Sequence, residues 1–251
     1  MFTALELSEE NKKGFRSLSR FFRKPKVEIE KIEPKNGKAF YICKAETRKG
    51  KIPWGEIEAV STIKAFLLPD CVTEKPPIEV WKPKKLPQLM LFNSAVEYIR
   101  EKALPPTKTQ ITVVDKEGHY VNLLKNMINL ASQITVVTSD ERYRNLSDDL
   151  LNDYGVSLII REELGGEKGE NGFLFDYSGE SVPLSYKGTV FSREKKYLLN
   201  GKSLTPGGFD LPDEYEKLRI PKINKLHFAS ALFELCNVKE LQSLKFNELC
   251  S

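Results

Sequence analysis

The chain has 251 residues, of which 40% are hydrophobic and 29% are charged, and its formal net charge at pH 7 is +4. It is long enough to bury a sizeable core, but its longest apolar runs fall far short of the ~20 residues that a membrane span needs. Its four cysteines lack C-x-x-C spacing, which excludes both a disulfide framework and a cysteine-based zinc site as expectations.

An amphipathic helix is predicted first, over residues 9–24, because apolar and basic residues fall on opposite sides at helical spacing. The apolar side carries Phe15, Leu18 and Phe22, and the basic side carries Lys12, Arg16, Arg20, Arg23 and Lys24. A basic helix with aromatic residues can bind an anionic partner, although a charged face that is only solvated is more common. The spacing matches no nucleic-acid-binding motif, so we expect no nucleic-acid partner.

The next elements form an N-terminal α+β portion that ends in a proline-rich strap. They are two hairpin strands (27–33 and 38–46), a helix (53–63), a short strand (65–68) and the strap (69–87). A second helix, predicted over 89–103, follows the strap. Asn36-Gly37 readily supplies the tight turn of the hairpin, and Pro53 suits the first position of a helix. The strap marks a candidate boundary between an N-terminal portion, residues 1–86, and a larger domain, residues 87–251.

Residues 109–161 contain three apolar, β-branched runs separated by two helical patterns. The runs are 111–115, 133–138 and 156–160, and the helical patterns have apolar positions from Tyr120 to Ala131 and from Tyr143 to Tyr154. Strands that are apolar throughout belong to a sheet covered on both faces, and short strand–helix–strand links imply parallel strands. A further strand is predicted at 173–176 and a last helix at 226–235. The predicted fold class is therefore α/β, with a parallel sheet core.

This succession resembles the Rossmann-type nucleotide-binding fold over about residues 109–176. In that family a G-x-G-x-x-G turn after the first strand lets a pyrophosphate rest against a helix N-terminus. The corresponding turn here is Asp115-Lys116-Glu117-Gly118-His119-Tyr120-Val121, which has a single glycine and an acid where a diphosphate would approach. The resemblance therefore implies a Rossmann-like core with a degenerate phosphate turn.

Polar residues follow several of the predicted parallel strands, and such residues share one edge of the sheet, where open α/β sheets bind ligands. The candidate cofactor-binding residues are Asp115, Gly118, His119, Asp140 and Asp176. Asp140 lies near the position where dinucleotide folds place an acid for the ribose hydroxyls, but an Asp or Ser after a strand is more often a helix N-cap, a role that Ser139 or Asp140 would serve for the following helix. His119 could act as an acid or base, although a histidine at a helix start is often only a surface residue.

Other catalytic and metal-binding motifs are absent, including the phosphate loop, the G-x-S-x-G turn and H-E-x-x-H, so no catalytic residue is assigned and no metal is expected. Three functions stay open. The favoured one is a non-catalytic or degenerate Rossmann-like protein that binds a small ligand or a partner at the strand carboxyl edge. The others are an enzyme that uses NAD(P) or S-adenosylmethionine, and a binder of an anionic partner through the basic N-terminal helix. Since no signal peptide is visible, we expect a cytoplasmic location.

Overall fold

A computed structural model describes residues 1–9, 25–48, 50–165 and 172–251. The strands are β1 (Thr3–Glu9), β2 (Val27–Ile32), β3 (Phe40–Thr47), β4 (Phe66–Leu67), β5 (Gln110–Val114), β6 (Gln133–Val137), β7 (Leu158–Arg161), β8 (Gly172–Asp176), β9 (Thr189–Ser192), β10 (Lys202–Pro206) and β11 (Leu249–Cys250). The α-helices are α1 (Trp54–Val60), α2 (Leu86–Glu101), α3 (Arg142–Tyr154), α4 (Asp213–Glu216) and α5 (Lys225–Cys236). Of the predicted basic helix, residues 10–24 lie outside the described residues.

The chain divides into two compact units, each made of two separate segments. Unit 1 comprises Met1–Pro87 and Leu211–Gln242, and unit 2 comprises Gln88–Asp210 and Ser243–Ser251. The sequence-based division into residues 1–86 and 87–251 groups Leu211–Gln242 with the second portion, whereas in the structure this segment contributes α4 and α5 to unit 1. No helix in the described parts of the chain is both long and apolar enough to cross a lipid bilayer.

Unit 1 is built on a sheet with the order β2-β3-β1-β4, in which β2 and β3 form the predicted antiparallel hairpin. β1 pairs in parallel with both β3 and β4. Because successive strand side chains alternate between faces, Leu5 packs with Ile57 of α1 on one face. On the other face the rings of Phe2 and Phe40 stack with centroids 4.8 Å apart, and both contact Phe228 of α5 edge-on. The sheet is thus covered on both sides within unit 1.

Unit 2 is built on a sheet with the order β11-β10-β9-β8-β5-β6-β7, in which every pair is parallel except β10 and β11. If the parallel strands are counted from β5 to β10, their spatial order is 3-2-1-4-5-6, which is the strand order of the Rossmann fold. The predicted α/β fold class with a Rossmann-like parallel sheet is therefore confirmed. The strand order reverses between β5 and β8, and we call the side of the sheet where the parallel strands end the carboxyl edge.

Aromatic and aliphatic side chains cover both faces of this sheet, as the unbroken apolar runs predict. On one face, Phe92 of α2 lies 5.8 Å from Phe175, and Tyr98 of α2 lies 5.5 Å from Phe191, between ring centroids. On the other face, Leu174 packs in a cluster with Tyr186 of the loop between β8 and β9. Because both faces of the sheet are buried, these strands do not alternate between apolar and polar residues.

The predicted helix between β5 and β6 is wrong. All residues from 115 to 132 are described, and their regular structure is limited to a 3-10 turn at Leu124–Met127. Gly118 has a φ of +70°, a left-handed conformation that does not continue into a right-handed helix. Leu124 and Met127 are buried, so the apolar spacing that resembled a helix comes from tight turns packed on the sheet. The first crossover of this Rossmann-like sheet therefore lacks its α-helix.

Candidate functional site

Asp115 lies directly after β5 and is only 3% exposed. Its Oδ2 accepts a hydrogen bond from the backbone N–H of Tyr120 at 2.7 Å and another from the hydroxyl of Tyr143 at 2.5 Å. Burial, together with the nearby Asp115 carboxylate, raises the pKa of both tyrosines well above the ordinary value, so each hydroxyl stays protonated. The Asp115 carboxylate thus joins the turn after β5 to the first residues of α3.

The surface beside Gly118 is occupied by an ion pair. A Cβ added at Gly118 would collide with Nη2 of Arg142 and Oδ2 of Asp140. Nη2 of Arg142 donates to the carbonyl oxygen of Glu117 at 2.8 Å, and Nε donates to the two carboxylate oxygens of Asp140 at 2.9 and 3.0 Å. Hydrogen bonding to Arg142 holds the pKa of Asp140 at about 2. A side chain at position 118 would therefore require this pair to move.

Asp140 makes the contacts of a helix cap. Its Oδ1 accepts the backbone N–H of Arg142, the first residue of α3, at 2.9 Å. The hydroxyl oxygen of Thr138 in turn accepts the N–H of Asp140 at 3.0 Å. Because the first N–H groups of a helix lack partners within it, a carboxylate here satisfies one of them. These contacts agree with the capping interpretation, and a role of Asp140 towards a ribose stays a prediction.

Asp176, the last residue of β8, is fully enclosed by its own loop. Its Oδ1 accepts the hydroxyl of Ser178 at 2.8 Å and the N–H groups of Gly179 and Glu180 at 3.0 and 3.2 Å. Its Oδ2 accepts no hydrogen bond from the described residues but lies 3.4 Å from Nζ of Lys196. Since the Asp176 side chain has no exposed surface, this carboxylate is stabilised by the loop and by the lysine.

A second lysine spans the point where the strand order reverses. Nζ of Lys116, which follows β5, lies 3.7 Å from Oε1 of Glu180, which follows β8. The same ammonium group donates to the carbonyl oxygen of Glu162, beyond the end of β7. Both members of the Lys116–Glu180 pair keep 34% of their side-chain surface exposed, so this bridge is accessible to solvent at the carboxyl edge.

His119 pairs with its neighbour and not with the buried aspartates. Its Nε2 lies 2.8 Å from Oε2 of Glu117, and 32% of its side-chain surface is exposed. The structure therefore brings Gly118 and Asp140 together and places Asp115 and Asp176 at the same edge, on adjacent strands. His119 lies on the exposed side of the turn, which matches the surface interpretation.

Sequence reasoning missed the residues that engage these acids: Lys116, Arg142, Tyr143, Glu180 and Lys196. Arg142 and Tyr143 carried a usable signal, because both belong to the first turn of a helix predicted to start at this edge. Lys196 gave none, since it lies in a loop far along the chain from Asp176. The described residues contain no group of three or more His, Cys, Asp or Glu side chains that could hold a metal ion.

Comparisons with known proteins add little to this picture. No protein-family model matches the chain, and no curated protein matches it significantly. Among solved structures, it is similar to the L-tryptophan dehydrogenase from Nostoc punctiforme, with 10% identity and a TM-score of 0.33. The similarity covers 80% of this chain and 60% of that one, so the chain spans less than two thirds of that dehydrogenase. A likeness this remote carries no argument about function, and the fold assignment depends on the strand order described above.

Proposed function

We propose that this chain is a non-catalytic, degenerate Rossmann-like protein that binds a small ligand or a partner at its carboxyl edge, without seating a dinucleotide in the phosphate turn. The main support is the missing helix after β5. A dinucleotide pyrophosphate is normally held by the N–H groups and dipole of that helix. Here the backbone N–H of Tyr120 already donates a hydrogen bond to Asp115, and the side chain of Arg142 lies against Gly118.

The carboxylates at the edge support a binding role more than a catalytic one. A general base needs a carboxylate within reach of a substrate proton and free to accept it. Asp115 accepts from Tyr120 and Tyr143, Asp140 is paired with Arg142, and the loop after β8 encloses Asp176. We infer that these acids hold the edge together.

The Lys116–Glu180 bridge is the part of the edge best placed to receive a ligand. It spans β5 and β8, where open α/β sheets bind their ligands. A partly exposed ion pair of this kind contributes at most about 1 kcal/mol, so a competing anion can displace Glu180 at little cost. A ligand carboxylate or an acidic side chain of a partner would then pair with Lys116.

A thermal-shift panel of NAD, NADP, S-adenosylmethionine and ATP tests the proposal. A ligand at 100 times its Kd would add about 2.7 kcal/mol to the free energy of unfolding. We expect no shift from NAD or S-adenosylmethionine, and no shift from NADP or ATP that Asp140→Asn abolishes. A clear shift from NAD or S-adenosylmethionine would contradict the proposal and favour the nucleotide-dependent enzyme, which the Rossmann strand order supports as the second candidate. In that case Asp140→Asn should abolish the shift if Asp140 binds the ribose.

The positive arm of the test uses small dicarboxylates such as malonate, with Lys116→Met as the matched variant. We expect malonate to raise the midpoint of thermal unfolding in the wild type and to lose this effect in Lys116→Met. If malonate raises the unfolding midpoint of Lys116→Met as much as that of the wild type, Lys116 does not bind the dicarboxylate. Binding of an anionic partner through Lys12, Arg16, Arg20 and Arg23 stays a separate prediction, to be tested by salt-sensitive binding to anionic vesicles and by charge reversal at Arg16 and Arg20.

A further inference from the structure

A cavity of about 380 Å³ lies at the opposite side of the unit 2 sheet, where β8, β9 and β10 begin. Its walls come from the end of α2, from the first residues of these strands and from the turn before β10. The lining side chains used below are Tyr98, Lys102, Lys187, Thr189, Asn200 and Lys202. The volume falls in the range of sites for small organic molecules, and none of these residues belongs to the carboxyl edge.

Two lysines of the cavity share one aromatic ring. Nζ of Lys102 lies 5.0 Å from the centroid of the Tyr98 ring, and Nζ of Lys202 lies 6.0 Å from it. Among the described residues, neither ammonium group forms an ion pair with a carboxylate. Each of these two ammonium groups is therefore available to pair with an anion bound in the cavity. Lys187 adds a third cation to the same wall.

The remaining walls are polar and closely packed. Asn200 and Thr189 place an amide and a hydroxyl on the cavity, and both can donate hydrogen bonds to an oxyanion. A Cβ added at Gly188 would collide with the carbonyl oxygen of Gly172, and one at Gly201 would collide with that of Tyr186. This part of the wall is therefore backbone packed against backbone, which fixes the cavity's shape before any ligand arrives.

From this arrangement we propose that the cavity binds a small organic phosphate monoester. A monoester carries close to two negative charges at neutral pH and three acceptor oxygens, which suits several lysines better than a single carboxylate does. The Tyr98 ring and the partly exposed Leu104 supply an apolar wall for the organic part of the ligand. In this proposal the phosphate pairs with Lys102 and Lys202 and accepts a hydrogen bond from Asn200.

The experiment titrates the 251-residue chain with phenyl phosphate and follows binding by calorimetry at low ionic strength. Lys102→Met and Lys202→Met remove each charge while keeping the length of the side chain. Because both lysines are exposed, the variants should fold, and far-UV circular dichroism verifies this. We expect each variant to weaken binding about tenfold, and binding to weaken as salt screens the charges. Lys108→Met, on an exposed lysine that does not line the cavity, serves as the control.

Three results would overturn the proposal: no binding of phenyl phosphate to the wild type, equal binding by wild type and both cavity variants, or an equal loss in Lys108→Met. The variants separate this site from the one at the carboxyl edge. Loss of phenyl phosphate binding in Lys102→Met and Lys202→Met identifies the cavity, whereas loss of the malonate effect in Lys116→Met identifies the carboxyl edge, so failure of either site leaves the other measurable.

Discussion

The hydrogen bond between Tyr143 and Asp115 provides the sharpest test of the view that Asp115 is a structural residue. Tyr143→Phe removes one hydroxyl and leaves the ring in place. Tyr143 is fully buried and Asp115 is 3% exposed, so water does not readily replace the lost donor at Oδ2. A hydrogen bond to a charged group contributes about 1.5–3 kcal/mol, and the burial of both partners favours the upper half of that range. In a chain of this size, such a loss lowers the unfolding midpoint by about 5–12 °C.

Equilibrium unfolding in urea, followed by circular dichroism, measures this change directly. The control is Tyr154→Phe, because Tyr154 lies at the other end of the same helix and is 56% exposed. We expect the control to change the free energy of unfolding by less than about 0.5 kcal/mol. If Tyr143→Phe costs no more than the control, Asp115 is not held by this bond and becomes available to a ligand. A double-mutant cycle with Asp115→Asn isolates the pairwise energy.

Three further outcomes are expected. Burial raises the pKa of two thiols to about 11, so a thiol reagent at pH 8 should label two of the four cysteines in the native protein and all four in denaturant. The slow pair is Cys43 and Cys236, and the fast pair is Cys71 and Cys250. An NMR titration should show Asp140 titrating near pH 2 in the wild type and closer to its ordinary pKa in Arg142→Met. Because folding lowers this pKa, the contribution of Asp140 to stability is present above the pKa of the unfolded chain and is lost as the pH falls towards 2. Gly155→Ala, where an added Cβ meets no atom within 4 Å, should cost about 1 kcal/mol from its left-handed φ alone. Gly118→Ala should cost more, and the excess should shrink in an Arg142→Met background; equal costs at both glycines would contradict the packing of Arg142 on Gly118.

The strands that could be predicted from the sequence are those with a strong local signal. β5, β6 and β8 are runs of apolar residues, and such runs identify buried parallel strands without knowledge of their partners. β1 was not predicted, because its register is defined by long-range parallel pairing with β3, which leaves no mark on the local sequence. The helix expected from Tyr120 onwards failed for a different reason: apolar positions spaced by three and four residues also arise from successive turns, and the left-handed Gly118 comes before them.

The candidate site shows the same limit. The placement of Asp115 and Asp176 on adjacent strand ends followed from the parallel sheet alone. The partners of these two carboxylates could not be predicted in the same way. Tyr143 and Lys196 reach them only once the chain has folded, and the spacing of residues along the sequence does not encode such contacts. The roles of the acids therefore depend on neighbours that the sequence could not specify.

The two-segment construction of unit 1 has a consequence for biosynthesis. Phe2 and Phe40 leave the ribosome long before Phe228, which packs against both rings. Until Phe228 is made, these aromatic rings lack its cover and offer a surface to chaperones or to aggregation. Cutting the gene after Pro87 would make that state permanent, so a fragment ending there should be recovered in inclusion bodies, and co-expression of the missing Leu211–Gln242 segment would be needed to rescue it.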